Sequence, residues 1–205
     1  LVKLLLEITK LNLMVKLTGP KKTKTAVFIS GTGSNLLSLI KFSKKKRCPI
    51  SIDLIISNYV KAKGLKYSVK FNIEKKIFSF KKKNLNNKKI FSYLQKKKIK
   101  LICLAGFMEI LPSDFIKKFK GTIINIHPSL LPKYKGLNTH ERAIKNEDKF
   151  SGCTVHYVSK KLDSGKIILQ SKVRISSKDN ATSLAKKILK KEHKLYPASI
   201  SKIMD

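Results

Sequence analysis

Apolar residues in this chain fall in short unbroken blocks, separated by polar turns and by stretches whose apolar positions recur three and four apart. The first block, residues 26–30 (Ala-Val-Phe-Ile-Ser), has the continuous character of a strand buried on both faces. Leu36, Leu37, Leu39 and Ile40 follow at helical spacing. A second strand is predicted over 50–57, then a short helix or turn from Asn58 to Leu65, and an edge-like strand within 66–77. Lys81 to Lys83 and Asn84 to Asn87 read as a polar loop, ahead of a helix on Ile90, Phe91 and Leu94 that runs to about Lys98. Residues 101–105 are another doubly buried strand, and a helix is predicted from Ser113 to Phe119. A short apolar run at 121–124 leads into Asn125-Ile126-His127-Pro128, with a helix over 140–146 beyond it. Strands at 152–158 and 167–173 are joined by a connection too short for a crossover, so they pair antiparallel. The last helix covers 181–196 and ends before Pro197.

Strands alternating with helices predict an α/β fold: a mainly parallel sheet with helices on both faces and antiparallel strands near the C-terminus. Residues 26–205 read as one domain and residues 1–25 as an N-terminal extension. Lys3, Glu7, Lys10 and Lys16 interrupt the apolar start, so it is no membrane span, and it lacks the pattern of a signal peptide. Met14 marks an alternative start, which would place the first thirteen residues outside the translated protein.

Charge changes this picture less than its size suggests. The net charge is +34, yet all but Arg47, Arg142 and Arg174 of the 46 basic residues are Lys. Base reading and bidentate phosphate clamping favour Arg, and aromatic residues do not interleave with the Lys runs as a stacking platform requires. The charge reads as background on solvated faces, attracting anions at low salt, and no specific nucleic-acid partner is expected. The alternative is a basic nucleic-acid-binding protein on a decayed enzyme fold, whose binding would fall steeply with salt. Cys48, Cys103 and Cys153 are odd in number and form no C-x-x-C, and the four histidines show no ligand spacing. Neither a disulfide framework nor a metal site is expected, and a reducing, cytoplasmic setting follows.

Two stretches carry candidate chemistry. Gly31-Thr32-Gly33-Ser34-Asn35 joins a strand to a helix, where backbone N–H groups and the helix dipole can hold a phosphate. Leu36 stands where a dinucleotide fingerprint has its third glycine, and Asp53 falls at a strand start, not at the ribose-binding strand end. A monophosphate cradle fits better than a dinucleotide site; a tight turn with no ligand is the alternative. Asn125 and His127 sit two apart at a strand's carboxyl end and share a face if the strand persists. An amide donor beside a group that titrates near neutrality suits one small polar atom, although such a pair can also simply close a turn. Met108, Ile110 and Leu111 are either a slot for a flat ring or ordinary core.

Four ordered motifs then carry a resemblance: Ser30-Gly31-Thr32-Gly33-Ser34-Asn35, Ala105-Gly106-Phe107-Met108, Asn125-Ile126-His127-Pro128-Ser129-Leu130-Leu131-Pro132 and Leu162-Asp163-Ser164-Gly165. Over roughly residues 26–200 the chain resembles the phosphoribosylglycinamide formyltransferase family, with its Rossmann-like fold. The resemblance implies formyl transfer from 10-formyltetrahydrofolate to the amine of glycinamide ribonucleotide, in purine biosynthesis and without a metal. It implies Asn125, His127 and Asp163 as the catalytic trio, with Asn125 and protonated His127 holding a tetrahedral oxyanion and Asp163 raising the pKa of His127. Gly33, Ser34 and Asn35 would hold the phosphate, and Glu192 the ribose hydroxyls, with Leu189, Lys190 and Lys191 lining that side. Met108, Glu109, Ile110 and Leu111, with Asn125, Ser159, Lys160, Lys161, Leu162 and Asp163, would wrap the pterin. His156 would support the site. The partners implied are small molecules, for a monomer or homodimer.

The chain departs from the pattern in three places. Glu109 stands where the family carries a basic residue, the chain stops at Asp205 soon after the last helix, and Glu147 replaces a turn glycine. Related formyl-folate enzymes are the rivals. A methionyl-tRNA formyltransferase is expected to carry a further C-terminal domain. A formyltetrahydrofolate hydrolase is expected to carry an N-terminal domain and a second His where Pro128 stands.

Overall fold

The computed structural model describes residues 3–7, 21–78 and 83–205. Met14, Lys81 and Lys82 lie outside the described residues. Seven strands form one sheet in the order β3-β2-β1-β4-β5-β6-β7. They are β1 (Thr23–Ile29), β2 (Ile50–Ser57), β3 (Glu74–Ile77), β4 (Leu101–Leu104), β5 (Thr122–His127), β6 (Phe150–Tyr157) and β7 (Ile167–Arg174). The first five run parallel; β6 pairs antiparallel with both β5 and β7. The helices are α1 (Ser34–Ser43), α2 (Lys66–Phe71), α3 (Lys83–Lys96), α4 (Ser113–Lys118), α5 (Thr139–Lys145) and α6 (Ala181–Met204).

The period of two along each strand divides the core in two. Val27 and Ile29 of β1, with Cys103 of β4 and Ile124 and Ile126 of β5, pack against α1, α5 and α6. Ala26 and Phe28, with Ile102, Leu104 and Ile123, face Ile90 and Leu94 of α3 and Phe115 of α4. Both faces are covered, which is why the middle of β1 and all of β4 read as unbroken apolar runs. Strand order reverses between β1 and β4, and a crevice opens beyond the carboxyl ends of such strands. The segments after β1, β4 and β5 all emerge there.

Two expected elements differ, while the edge strand expected within 66–77 is β3, Glu74–Ile77, with residues 66–71 ahead of it helical. Asn84 to Asn87 belong to α3, which begins at Lys83. The last helix continues through Pro197 to Met204. Proline costs an interior helix hydrogen bond, yet buried Ser199 and Ile200 hold this turn in the core, and Ser199 Oγ donates back to Leu195 O at 2.8 Å. β1 also begins at Thr23, inside the predicted N-terminal extension. Folding does bring lysines onto aromatic rings: Lys44 lies 4.6 Å from the Phe71 ring centroid and Lys76 4.5 Å from that of Tyr93. These cations cover ring faces instead of leaving them open for bases.

Candidate active site

Asn125 and His127 lie at the end of β5 and share a face, as their spacing predicts. Antiparallel pairing sets His156 of β6 opposite Asn125 and Thr154 opposite His127, so all four side chains share that face. Asn125 Nδ2 lies 3.3 Å from His156 Nε2. His156 Nδ1 lies 2.9 Å from the Tyr157 carbonyl, an acceptor that places the proton of a neutral ring on Nδ1 and leaves Nε2 to accept from the amide.

Asp163, on the loop between β6 and β7, is buried and faces both imidazoles. Its Oδ2 is 3.4 Å from His127 Nδ1 and its Oδ1 is 3.6 Å from His156 Nε2. The Gly136 N–H donates to Oδ2 at 2.9 Å. Two residues on, Gly165 passes so close to β6 that a Cβ there would sit 1.7 Å from the Tyr157 carbonyl oxygen. Only glycine permits this approach, which draws the Asp163 turn under the histidines.

His127 Nε2 donates to the Tyr134 carbonyl at 2.8 Å. Both ring nitrogens therefore face acceptors, an arrangement that satisfies the protonated ring. Burial nonetheless dominates and holds the His127 pKa below the ordinary imidazole value, against the upward pull of the Tyr134 carbonyl and the Asp163 carboxylate. This corrects the expectation of a raised pKa: the carboxylate acts in the expected direction, but desolvation outweighs it. Burial works upward on Asp163, and His156, the Gly136 N–H and His127 together outweigh it, so that carboxyl titrates below its usual range.

The loop after β5 is braced by residues that the sequence reading missed. Thr154 Oγ1 donates to Ser129 O at 2.6 Å and accepts from Leu131 N at 3.1 Å and Gln170 Nε2 at 2.9 Å. Gln170 also donates to Leu131 O. His127, Thr154 and Gln170 occupy facing positions on β5, β6 and β7. Strand alternation could have marked Thr154 and His156 as sharing a face; their partners required the pairing register.

The turn after β1 holds the other group of candidate residues. Gly33 is the N-cap of α1 at φ 74°, with no side-chain cap and no acidic residue in the first turn. A Cβ on Gly33 would stand 2.6 Å from Gly64 Cα, so the left-handed turn and the close approach both demand glycine. The N–H groups of Ser34 and Asn35 belong to the helix's uncapped first turn. The Asn35 side chain is occupied elsewhere: Nδ2 donates to Glu192 Oε2 at 2.7 Å. Asn35 Oδ1 is closed off without a partner, and burial raises the Glu192 pKa while Asn35 opposes it.

The remaining predicted residues divide. Leu189 is half-buried beside Glu192, whereas Lys190 and Lys191 are exposed. Lys190 projects about 200° around the helix from Glu192, so that part of the predicted lining faces away. Met108 and Ile110 are exposed and apolar, as is Leu162 on the Asp163 loop. Leu137, which the sequence reading missed, is also exposed. Leu111 is buried in the core cluster that holds Phe115 and Phe28, leaving only its main chain for a ligand. Glu109 accepts from Asn58 Nδ2 at 3.3 Å, Asn58 accepts from Ser30 Oγ at 2.6 Å, and Ser30 Oγ accepts from Met108 N at 2.8 Å. This relay ties the 106–111 loop to β1 and β2. Ser159 bonds within its own loop, and Lys160 and Lys161 are exposed. Among the described residues, no group of His, Cys, Asp and Glu is placed to hold a metal ion.

Known proteins share both the sequence and the fold. Residues 23–200 match the formyl transferase family model. The chain is 41% identical over 182 residues to phosphoribosylglycinamide formyltransferase of Haemophilus influenzae, covering 86% of this chain and 85% of that protein. It is 39% identical over 183 residues to the human trifunctional purine biosynthetic protein adenosine-3, covering 88% of this chain. The chain spans only 18% of the length of that relative. The crystal structure of phosphoribosylglycinamide formyltransferase from Anaplasma phagocytophilum superposes with a TM-score of 0.85 at 41% identity, over 90% of this chain and 87% of that one. A match over this much of the chain, with the same fold, establishes that this protein belongs to the formyltransferase family, among the phosphoribosylglycinamide formyltransferases.

Proposed function

We propose that this chain transfers the formyl group of 10-formyltetrahydrofolate to the primary amine of glycinamide ribonucleotide. The observation that carries the reading is the convergence of Asn125, His127 and Asp163 at the carboxyl end of β5. β5 lies two strand spacings, about 10 Å, from β1 and its anion-binding turn. The ribonucleotide reading draws support from Asn35 Oδ1 and the Glu192 carboxylate. They are neighbouring buried acceptors short of donors, and a ribose diol supplies two hydroxyl donors. Gly33, Ser34 and Asn35 would take the phosphate through backbone N–H groups, with Leu189 beside the sugar and Lys191 adding positive field. The exposed apolar Met108, Ile110 and Leu162 suit the faces of a pterin. The main chain of Glu109, Leu111 and residues 159–163 would meet its polar edge.

The residue types then set the chemistry. Asn125 has two N–H bonds, and the one not given to His156 is free for the oxygen on which charge develops. His127 is buried at a cost to its charged form, and a negative oxygen beside it offsets that cost when the proton is needed. Asp163, held ionised, stabilises the imidazolium and is a weak base. Net reaction removes one proton from the attacking amine and delivers one to the departing folate nitrogen; for His127 to relay it, one ring nitrogen must leave its Tyr134 or Asp163 acceptor for the substrate. Under this reading the protein works in the cytoplasm as a monomer or homodimer on small molecules. No helix among the described residues is long and apolar enough to cross a membrane.

The test is consumption of 10-formyltetrahydrofolate by purified protein with and without glycinamide ribonucleotide, with product mass recorded. Consumption that depends on the ribonucleotide, with a formylated product, is the expected result. Release of formate independent of it would make the protein a hydrolase and overturn the proposal.

A further inference from the structure

Helices α1 and α6 pack side by side. Past the Asn35–Glu192 contact their surfaces part into an open groove of about 360 Å³. Ser38, Lys41 and Phe42, spaced i, i+3 and i+4 on one stripe of α1, and Lys45 just past its end line one wall. His193, Lys194 and Pro197 line the other. Ser38 Oγ donates to the His193 carbonyl at 2.8 Å and joins the two walls.

Three ammonium groups thus border one groove whose lining holds no carboxylate. Among the described residues, no ion pair involves Lys41, Lys45 or Lys194. The charge of Lys41 adds to burial in holding His193 below the usual imidazole range, a sign of repulsion that a bound anion would relieve. His193 Nε2 is closed off without a hydrogen-bond partner. Phe42 and Pro197 give the groove apolar surface suited to a ring. The substrate turn lies elsewhere: Lys41 is about 10 Å along the α1 axis from residues 33–35. At this end of the helix the backbone presents carbonyls, so only side chains can hold an anion.

We infer that the α1/α6 groove is a second ligand site, taking a phosphorylated, ring-bearing small molecule of the nucleoside monophosphate class. The lysines take the phosphate, and Phe42 and Pro197 take the ring.

Calorimetric titration of the full chain with adenosine monophosphate tests this, against inorganic phosphate as the ringless probe. Two variants are compared: Lys41→Gln/Lys45→Gln/Lys194→Gln in the groove, and Lys117→Gln/Lys118→Gln/Lys120→Gln on exposed positions of the opposite helical layer. The groove variant is expected to weaken nucleotide binding about tenfold or more, as loss of charge-assisted contacts implies, and the control variant less than about twofold. Phe42→Leu is expected to weaken the nucleotide and leave inorganic phosphate unchanged. Equal losses in the two triple variants would show diffuse attraction to a basic surface and overturn the proposal. An unchanged affinity in the groove variant would put the nucleotide elsewhere, the substrate turn included, and would also overturn it.

Discussion

The side-chain amide of Asn35 donates to the carboxylate of Glu192 at 2.7 Å, joining the first turn of α1 to the middle of α6 across 157 positions of chain. A buried carboxylate satisfied by one neutral amide is an expensive way to tie two helices. Burial raises its pKa. Its stabilising contribution is therefore full at low pH and is lost as pH rises through the folded value. Glu192→Gln keeps an acceptor for Asn35 and removes the charge. Thermal melts at pH 8 should show Tm raised by about 2–4 °C, roughly 1 kcal/mol for a chain of this size, with a smaller gain at pH 5. The same variant should raise the KM for glycinamide ribonucleotide about tenfold. A lower Tm at pH 8 would contradict this account of the pair.

Replacing Asn125, His127 or Asp163 by Ala should lower kcat by about 100-fold or more while far-UV dichroism stays native. Asp163→Asn is the sharper probe, since it keeps shape and removes charge. It should lower kcat comparably and shift the acid limb of the kcat profile downward, because His127 loses the carboxylate that favours its protonated form. An unshifted limb would separate Asp163 from His127.

Acid should weaken the fold before it reaches the ordinary carboxylate range. Burial lowers the pKa of His127, and likewise of His140 and His193. The unfolded chain then binds protons more readily than the native one in the window below about pH 6.5. Stability is expected to fall as pH drops from about 7.5 towards 5.5, by denaturant midpoint. His127→Gln should flatten part of that slope, and an unchanged slope would argue that His127 titrates normally.

Thr154→Val removes one hydroxyl and keeps the side-chain volume. It leaves Leu131 N without its acceptor and Ser129 O without its donor, a loss of about 1–3 kcal/mol for buried groups. Because that segment follows His127 directly, kcat should fall as well. Equal kcat in a destabilised variant would confine Thr154 to a structural part.

The unbroken apolar runs within β1 and β4 were legible because strands covered on both faces need no alternation. Asn125 and His127 were legible for a different reason: two residues apart on one strand is a geometry that sequence spacing sets. Asp163 was named through the resemblance, and its position between two imidazoles follows from Gly165 lying against Tyr157. Thr154, Gln170 and Tyr134 were not legible, since each acts through a partner on another strand or loop. Pro197 misled in the opposite direction: a local helix-breaking rule was overridden by burial of the turn beyond it.

By itself the sequence determined the alternation of elements, the glycine turn after β1 and the chemical types available at the end of β5, because each depends on contacts or spacing within a few residues. The tertiary structure decided that burial would hold His127 below its ordinary pKa, that Glu192 would meet Asn35, and which lysines would crowd one groove. Those outcomes depend on desolvation and on groups brought together from distant parts of the chain, and neither is encoded at any single position.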